Sequence, residues 1–167
     1  MKLRLGSVIV FFVFSLVQLT FAQQHLTLTG ASFICANQGE TGNCGNAEFD
    51  PALGSLQNAQ GTWAATVSLP QGAVVSALTL CGNFNEVGSS ITATLDETPL
   101  TSSSGFPTPV AMATIQSTGA ANKTQCFKTT AVTNATIDNG TKQYYVVVNV
   151  PDNDGVIFTV VQILYKD

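Results

Sequence analysis

Cationic side chains are scarce in this sequence. Only six of its 167 residues are lysine or arginine, and Arg4 is the single arginine. Binding to nucleic acid rests on Lys and Arg neutralising phosphates, so that partner is not expected. Histidine is rarer still, with His25 alone. Hydrolytic triads and most general-base mechanisms set a histidine among partners, and His25 reads as a solvated terminal residue. Charged residues make up 10% of the chain, which leaves threonine, serine, asparagine and glutamine to supply the polar surface. Helical periodicity is missing as well, since no window repeats apolar residues at i, i+3, i+4 and i+7.

Long apolar runs are confined to one place. Val8 to Val17 follows the basic Lys2 and Arg4 and precedes the small-x-small ending Thr20-Phe21-Ala22. That layout predicts a secretory signal over residues 1–22 and one domain over 23–167. The run falls short of the roughly 20 residues a spanning helix needs, so no membrane span is expected after cleavage. The exported part then holds four lysines and ten acidic residues, a formal charge of −6. The apolar run Val156 to Tyr165 is again too short to span, contains Thr159 and Gln162, and reads as a final strand.

Cys35, Cys44, Cys81 and Cys126 all lie in the exported part, and an even count in an oxidising compartment marks disulfides. Their spacings fit neither a structural zinc site nor a C-x-x-C redox pair. Of the three possible pairings, Cys35 with Cys44 and Cys81 with Cys126 is preferred. The polar segment of the first pair can close as a loop without crossing the core.

What the chain has in quantity is period two. In "TWAATVSL", Trp63, Ala65, Val67 and Leu69 share one side, and Ile91, Ala93 and Leu95 do the same in "SITATL". Strands are expected near 25–35, 62–69, 73–81, 90–96, 110–117, 125–132, 143–150 and 156–165. Pro70-Gln71-Gly72 reads as a tight turn between neighbouring antiparallel strands, and Pro151 to Gly155 separates the last two. Those two alternate least, which predicts central strands covered on both faces. Eight such strands predict an all-β, antiparallel two-sheet sandwich of jelly-roll type. An immunoglobulin-type sandwich is second, because Trp63 precedes both Cys81 and Cys126 rather than lying between them.

The stretch "VSLPQGAVVSALTLCGNFNEVGSSITATL", Val67 to Leu95, resembles a pattern of uncharacterised secreted bacterial β-sandwich proteins. The segment "NATIDNGTKQYYVVVNVP", Asn134 to Pro151, is similar to the distal part of the same pattern. The resemblance implies a fold and an extracellular address, and no functional residue.

Candidate sites are sparse. Glycoside hydrolysis can run on two carboxylates, and the available acids are Asp96 with Glu97, Glu48 with Asp50, and Glu86. Asp96 and Glu97 are adjacent in a strand and so point to opposite faces. Asp152 and Asp154 alternate before Gly155 as in a calcium loop, but no closing glutamate follows and a plain β-turn explains them, so no cofactor is expected beyond that calcium alternative. Exposed aromatic rings for stacking on a glycan are sought at Tyr145, Tyr165 and Phe84, whereas Trp63 reads as core. The sequons at Asn122, Asn134 and Asn139 follow from a chain rich in Asn and Thr as readily as from glycosylation.

The expected protein is therefore a secreted, non-catalytic sandwich that acts through its surface as a binding or adhesion module for an extracellular polymer or glycan. A structural subunit that self-associates through edge strands poor in lysine is the alternative. A carboxylate-based glycoside hydrolase ranks third.

Overall fold

The computed structural model describes residues 22–36, 44, 47–84, 91–101, 105, 107–117, 123–151 and 156–167. Eleven strands run through these residues: β1 (Gln24–Thr29), β2 (Ile34–Cys35), β3 (Glu48–Asp50), β4 (Ser55–Gln57), β5 (Gly61–Val67), β6 (Val74–Phe84), β7 (Thr92–Pro99), β8 (Val110–Gln116), β9 (Lys123–Thr129), β10 (Lys142–Val150) and β11 (Val156–Lys166). Sheet A has the order β3-β4-β11-β6-β9, with β1 also paired to β11, and sheet B has the order β2-β5-β10-β7-β8. From β5 onward the chain changes sheet at every connection except β7 to β8. The fold is thus a jelly-roll-like antiparallel sandwich, with eleven strands where the sequence suggests eight.

Alternation explains the core. Trp63, Ala65 and Val67 of β5, Ala93 and Leu95 of β7, and Val146 and Val148 of β10 turn inward from sheet B, and Leu78, Leu80, Phe158 and Ile163 are buried from sheet A. Phe33 meets Phe158 edge to face, with ring centroids 5.1 Å apart. Trp63 is a core residue as its side of the strand indicates, and its ring N–H is satisfied by the Ala59 carbonyl at 3.0 Å.

Several expectations are corrected. The single strand foreseen over 25–35 breaks at a 3-10 turn, Gly30–Ser32, which sends β1 to sheet A and β2 to sheet B. Gly30 approaches the backbone of Ser55 and Leu56 so closely there that no side chain fits. Pro70-Gln71-Gly72 does not join neighbours, because β5 and β6 belong to opposite sheets, and the same holds for β10 and β11. Those last two strands are central, yet β10 is covered on one face only: Tyr145 and Val147 are half-buried and Asn149 is exposed. The short hairpin β3–β4 was not foreseen. Strand β9 ends at Thr129, and the chain beyond it meets the edge of β8, where the Thr133 N–H reaches the Met112 carbonyl at 2.8 Å.

Both disulfides have the expected pairing, Cys35–Cys44 and Cys81–Cys126. Cys81 and Cys126 are direct partners on β6 and β9, and Cys126 is exposed, so this bridge lies along one sheet rather than between the two. Edge strand β9 carries Lys123 and Lys128, contrary to the expectation that the edges lack lysine. Among the described residues no helix is long and apolar enough to cross a membrane.

Candidate functional site

The outer face of sheet B follows from the register. Tyr145 points away from buried Tyr144 and stands between Thr66 of β5 and Asp96 of β7. One row along, Ala64 stands between Ile34 of β2 and Val147 of β10. The outward residues of β5 are small, Thr62, Ala64 and Thr66, so this strand forms a low floor between its taller neighbours. Two strand spacings separate β2 from β10, about 10 Å of backbone. The result is a groove of about 310 Å³ whose walls and floor include Ser32, Ile34, Ala64, Thr66, Gln143 and Tyr145, with no charged residue lining it.

Its two walls are held in different ways. The Tyr145 hydroxyl shares a 3.0 Å hydrogen bond with the Thr98 hydroxyl, which draws the ring across β7 and fixes its tilt. Ile34, 69% exposed, forms the opposite wall from a strand only two residues long. That strand keeps its place through its pairing with β5, through the Ala36 N–H on the Thr62 carbonyl at 2.9 Å, and through the Cys35–Cys44 bridge at the next residue. Cys44 is itself tied to the Gln60 carbonyl through its N–H at 3.1 Å. The stapled loop therefore supports a wall of the groove.

Asp96 and Glu97 of β7 lie on opposite faces of sheet B. Asp96, 9% exposed, lies on the outer face and accepts a hydrogen bond from the Thr94 hydroxyl at 3.1 Å. Burial pushes its carboxyl above the ordinary range, partly offset by that bond. Glu97 turns to the inner face, where it accepts from the Asn134 amide at 2.8 Å and the Lys142 ammonium at 2.7 Å. The opposite orientations agree with the strand geometry. Glu48 and Asp50 border a second hollow of about 300 Å³ with Phe49, Pro51 and Gln57. Asp50 is used within its own turn, accepting from the N–H groups of Ala52 and Leu53 and from the Gln57 amide.

The sequence-derived aromatic candidates are dispersed. Tyr145 lines the groove, while Tyr165 lies on β11 in sheet A, with its hydroxyl donating to Gln24 at 2.9 Å. Phe84 closes β6, and its side chain lies outside the described residues. Asp152, Asp154, Glu86 and Asn122 also lie outside them, as do residues 1–21 of the expected signal. No group of three metal-ligating side chains occurs among the described residues. His25 is exposed on β1. The amide of Asn139 donates to the Leu69 carbonyl at 2.9 Å, so this sequon asparagine holds a turn. Ile34, Thr66 and Gln143 join the site without any signal in the sequence beyond their outward parity.

No protein-family model and no curated protein sequence matches the chain. Among solved structures it is similar to a family two carbohydrate esterase from Cellvibrio japonicus, at 11% identity and a TM-score of 0.43 over 87% of this chain. The match spans 35% of the esterase's own length. It is also similar to the CBM36-1 domain of a multidomain xylanase from the hindgut metagenome of Trinervitermes trinervoides, at 15% identity and a TM-score of 0.44 over 84% of this chain and 96% of that one.

Proposed function

We propose that this chain is a secreted, non-catalytic binding module that docks an extracellular polymer in the groove on sheet B. One observation carries the reading: the Tyr145 ring, half-buried and braced by Thr98, lines an uncharged groove floored by small residues, with Ile34 on the opposite wall one row along. A held aromatic beside a shallow concavity is a binding feature that needs no reacting group. Two disulfides suit an oxidising, extracellular compartment. A self-assembling subunit ranks second, because lysines occupy the β9 edge and Thr133 takes up part of the β8 edge.

Co-sedimentation with insoluble cellulose, chitin, xylan, pectin and a fibrous protein tests the proposal. Wild type is expected in the pellet of at least one polymer, Tyr145→Ala in the supernatant, and Phe49→Ala, exposed on β3, unchanged. Wild type that stays soluble with every polymer, or Tyr145→Ala that pellets as well as wild type, refutes it.

A further inference from the structure

Resting on that reading, we infer that the occupant of the groove is a neutral saccharide chain, one sugar ring of which sits between Tyr145 and Ile34 while Gln143 and Thr66 hydrogen-bond its hydroxyls. Three classes of extended polymer compete for such a groove, and the lining separates them.

An anionic polymer requires cations, and none lines the groove. The nearest lysine in sequence, Lys142, is committed to Glu97 at 2.7 Å on the inner face. On the far side of Tyr145 the buried Asp96 carboxylate adds repulsion, which a low-dielectric setting strengthens. A polyanion is therefore disfavoured twice, by what is missing and by what is present.

An extended peptide is held chiefly by adding itself as a strand to a free sheet edge. The floor of this groove is β5, which is already paired with β10 along its length and with β2 at Ala64 and Trp63. Next to Thr66, where β2 no longer pairs, the groove presents side chains and only a short stretch of open backbone.

A neutral sugar ring matches what remains. Its C–H faces are weakly polar and pack against the electron-rich face of an aromatic ring or a branched aliphatic side chain. Its hydroxyls both donate and accept, and so do the Gln143 amide, with separate donor and acceptor ends, and the Thr66 hydroxyl. Both are exposed on the outer face of sheet B, and Tyr145, between them along the face, supplies the ring. The site thus combines one braced ring, one aliphatic wall and two uncharged hydrogen-bonding side chains.

Affinity electrophoresis of the full exported chain, through gels containing xylan, mixed-linkage β-glucan or galactomannan and through gels containing polygalacturonate or alginate at one ionic strength, tests the inference. Retardation is expected by at least one neutral polysaccharide and by neither uronate. Gln143→Ala should weaken retention about fivefold, as expected for one lost hydrogen bond to a ligand. Both Gln143 and Thr66 are exposed, so loss of folding does not cloud these variants. Uronate retention as strong as neutral retention, or neutral retention untouched in the Gln143→Ala, Thr66→Ala double variant, overturns the inference. If only a uronate gel retards the chain and Tyr145→Ala abolishes that retardation, the groove reading survives and only the neutral character of the saccharide falls. If Tyr145→Ala changes nothing, both fall.

Discussion

The carboxylate of Glu97 and the side-chain amide of Asn134, 37 residues apart in the chain, meet at 2.8 Å where β7 faces the connection into β10. Asn134 reaches that position from a left-handed backbone, φ 49°, which asparagine tolerates better than most residues. The second carboxylate oxygen takes the Lys142 ammonium, and two residues on, the Tyr144 hydroxyl accepts the Asp138 N–H at 2.7 Å. Lys142 and Tyr144 are anchored inward and alternate with Gln143 and Tyr145, which point into the groove. The inner face of β10 thereby steadies its outer face.

Removing the centre of this network should cost stability. Glu97→Ala takes the shared acceptor from Asn134 and Lys142, both still reached by solvent, and is expected to destabilise the fold by about 1 kcal/mol. Glu97→Gln keeps an acceptor for Asn134 and should cost less. Urea denaturation followed by tryptophan fluorescence from Trp63 measures both, and equal stability of Glu97→Ala and wild type would refute the role.

How far the sequence carries the fold depends on which interaction decides each feature. The period-two runs assign the inward faces of β5, β7 and β10 correctly, because burial on one face leaves a local trace in residues such as Trp63, Ala65 and Leu95. Sheet membership leaves no such trace. Pro70-Gln71-Gly72 with Gly72 at φ 82° serves a hairpin or a crossing between sheets equally well, and the outcome rests on distant partners. Glu48–Asp50 and Ser55–Gln57 are three residues each, too short to show alternation. The groove has the same origin: the parity of Tyr145 is readable, but Ile34 stands on the opposite wall, one row along, only because β2 and β10 both pair with β5.

Gly30 is where the chain passes between sheets with least room. A methyl carbon there would lie 2.7 Å from the Leu56 nitrogen and 2.8 Å from the Ser55 carbonyl carbon, both backbone atoms that cannot rotate away. Gly30→Ala is expected to destabilise by about 2 kcal/mol or more, by forcing β4 and the 3-10 turn apart. Thermal unfolding of the variant at wild-type stability would show that this segment yields freely.

Two carboxylates should shape the pH dependence with opposite signs. The Asp138 carboxyl is held below its ordinary value by the Thr141 hydroxyl, the Gln71 amide and the Gly140 N–H. Its contribution is present above the unfolded value of 3.8 and is lost as pH falls through the lower folded value, so Asp138→Asn should flatten the acid limb. Asp96 is raised by burial, so ionising it costs stability as pH rises from 3.8 through its higher folded value. Asp96→Asn should therefore gain stability over wild type at neutral pH and show little gain at pH 3. Denaturation curves across that range decide both signs, and a gain for Asp96→Asn that is larger in acid would contradict the assignment.

The two disulfides should separate stability from binding. Cys81–Cys126 closes a sequence separation of 45 and Cys35–Cys44 one of 9, so chain entropy alone assigns them about 4 and about 3 kcal/mol. Cys81 and Cys126 also face each other on strands already zipped over seven register pairs in sheet A, away from the groove. Replacing both by serine should lower the unfolding midpoint and leave polymer retention intact wherever the protein remains folded. Replacing Cys35 and Cys44 by serine should cost less stability, but it frees the two-residue strand that carries Ile34 and should weaken retention in proportion to the loss of that wall. Ile34→Ala, with both bridges intact, isolates the wall from the staple. If the Cys35/Cys44 variant binds as wild type while Ile34→Ala does not, pairing with β5 alone positions the wall and the bridge serves stability only.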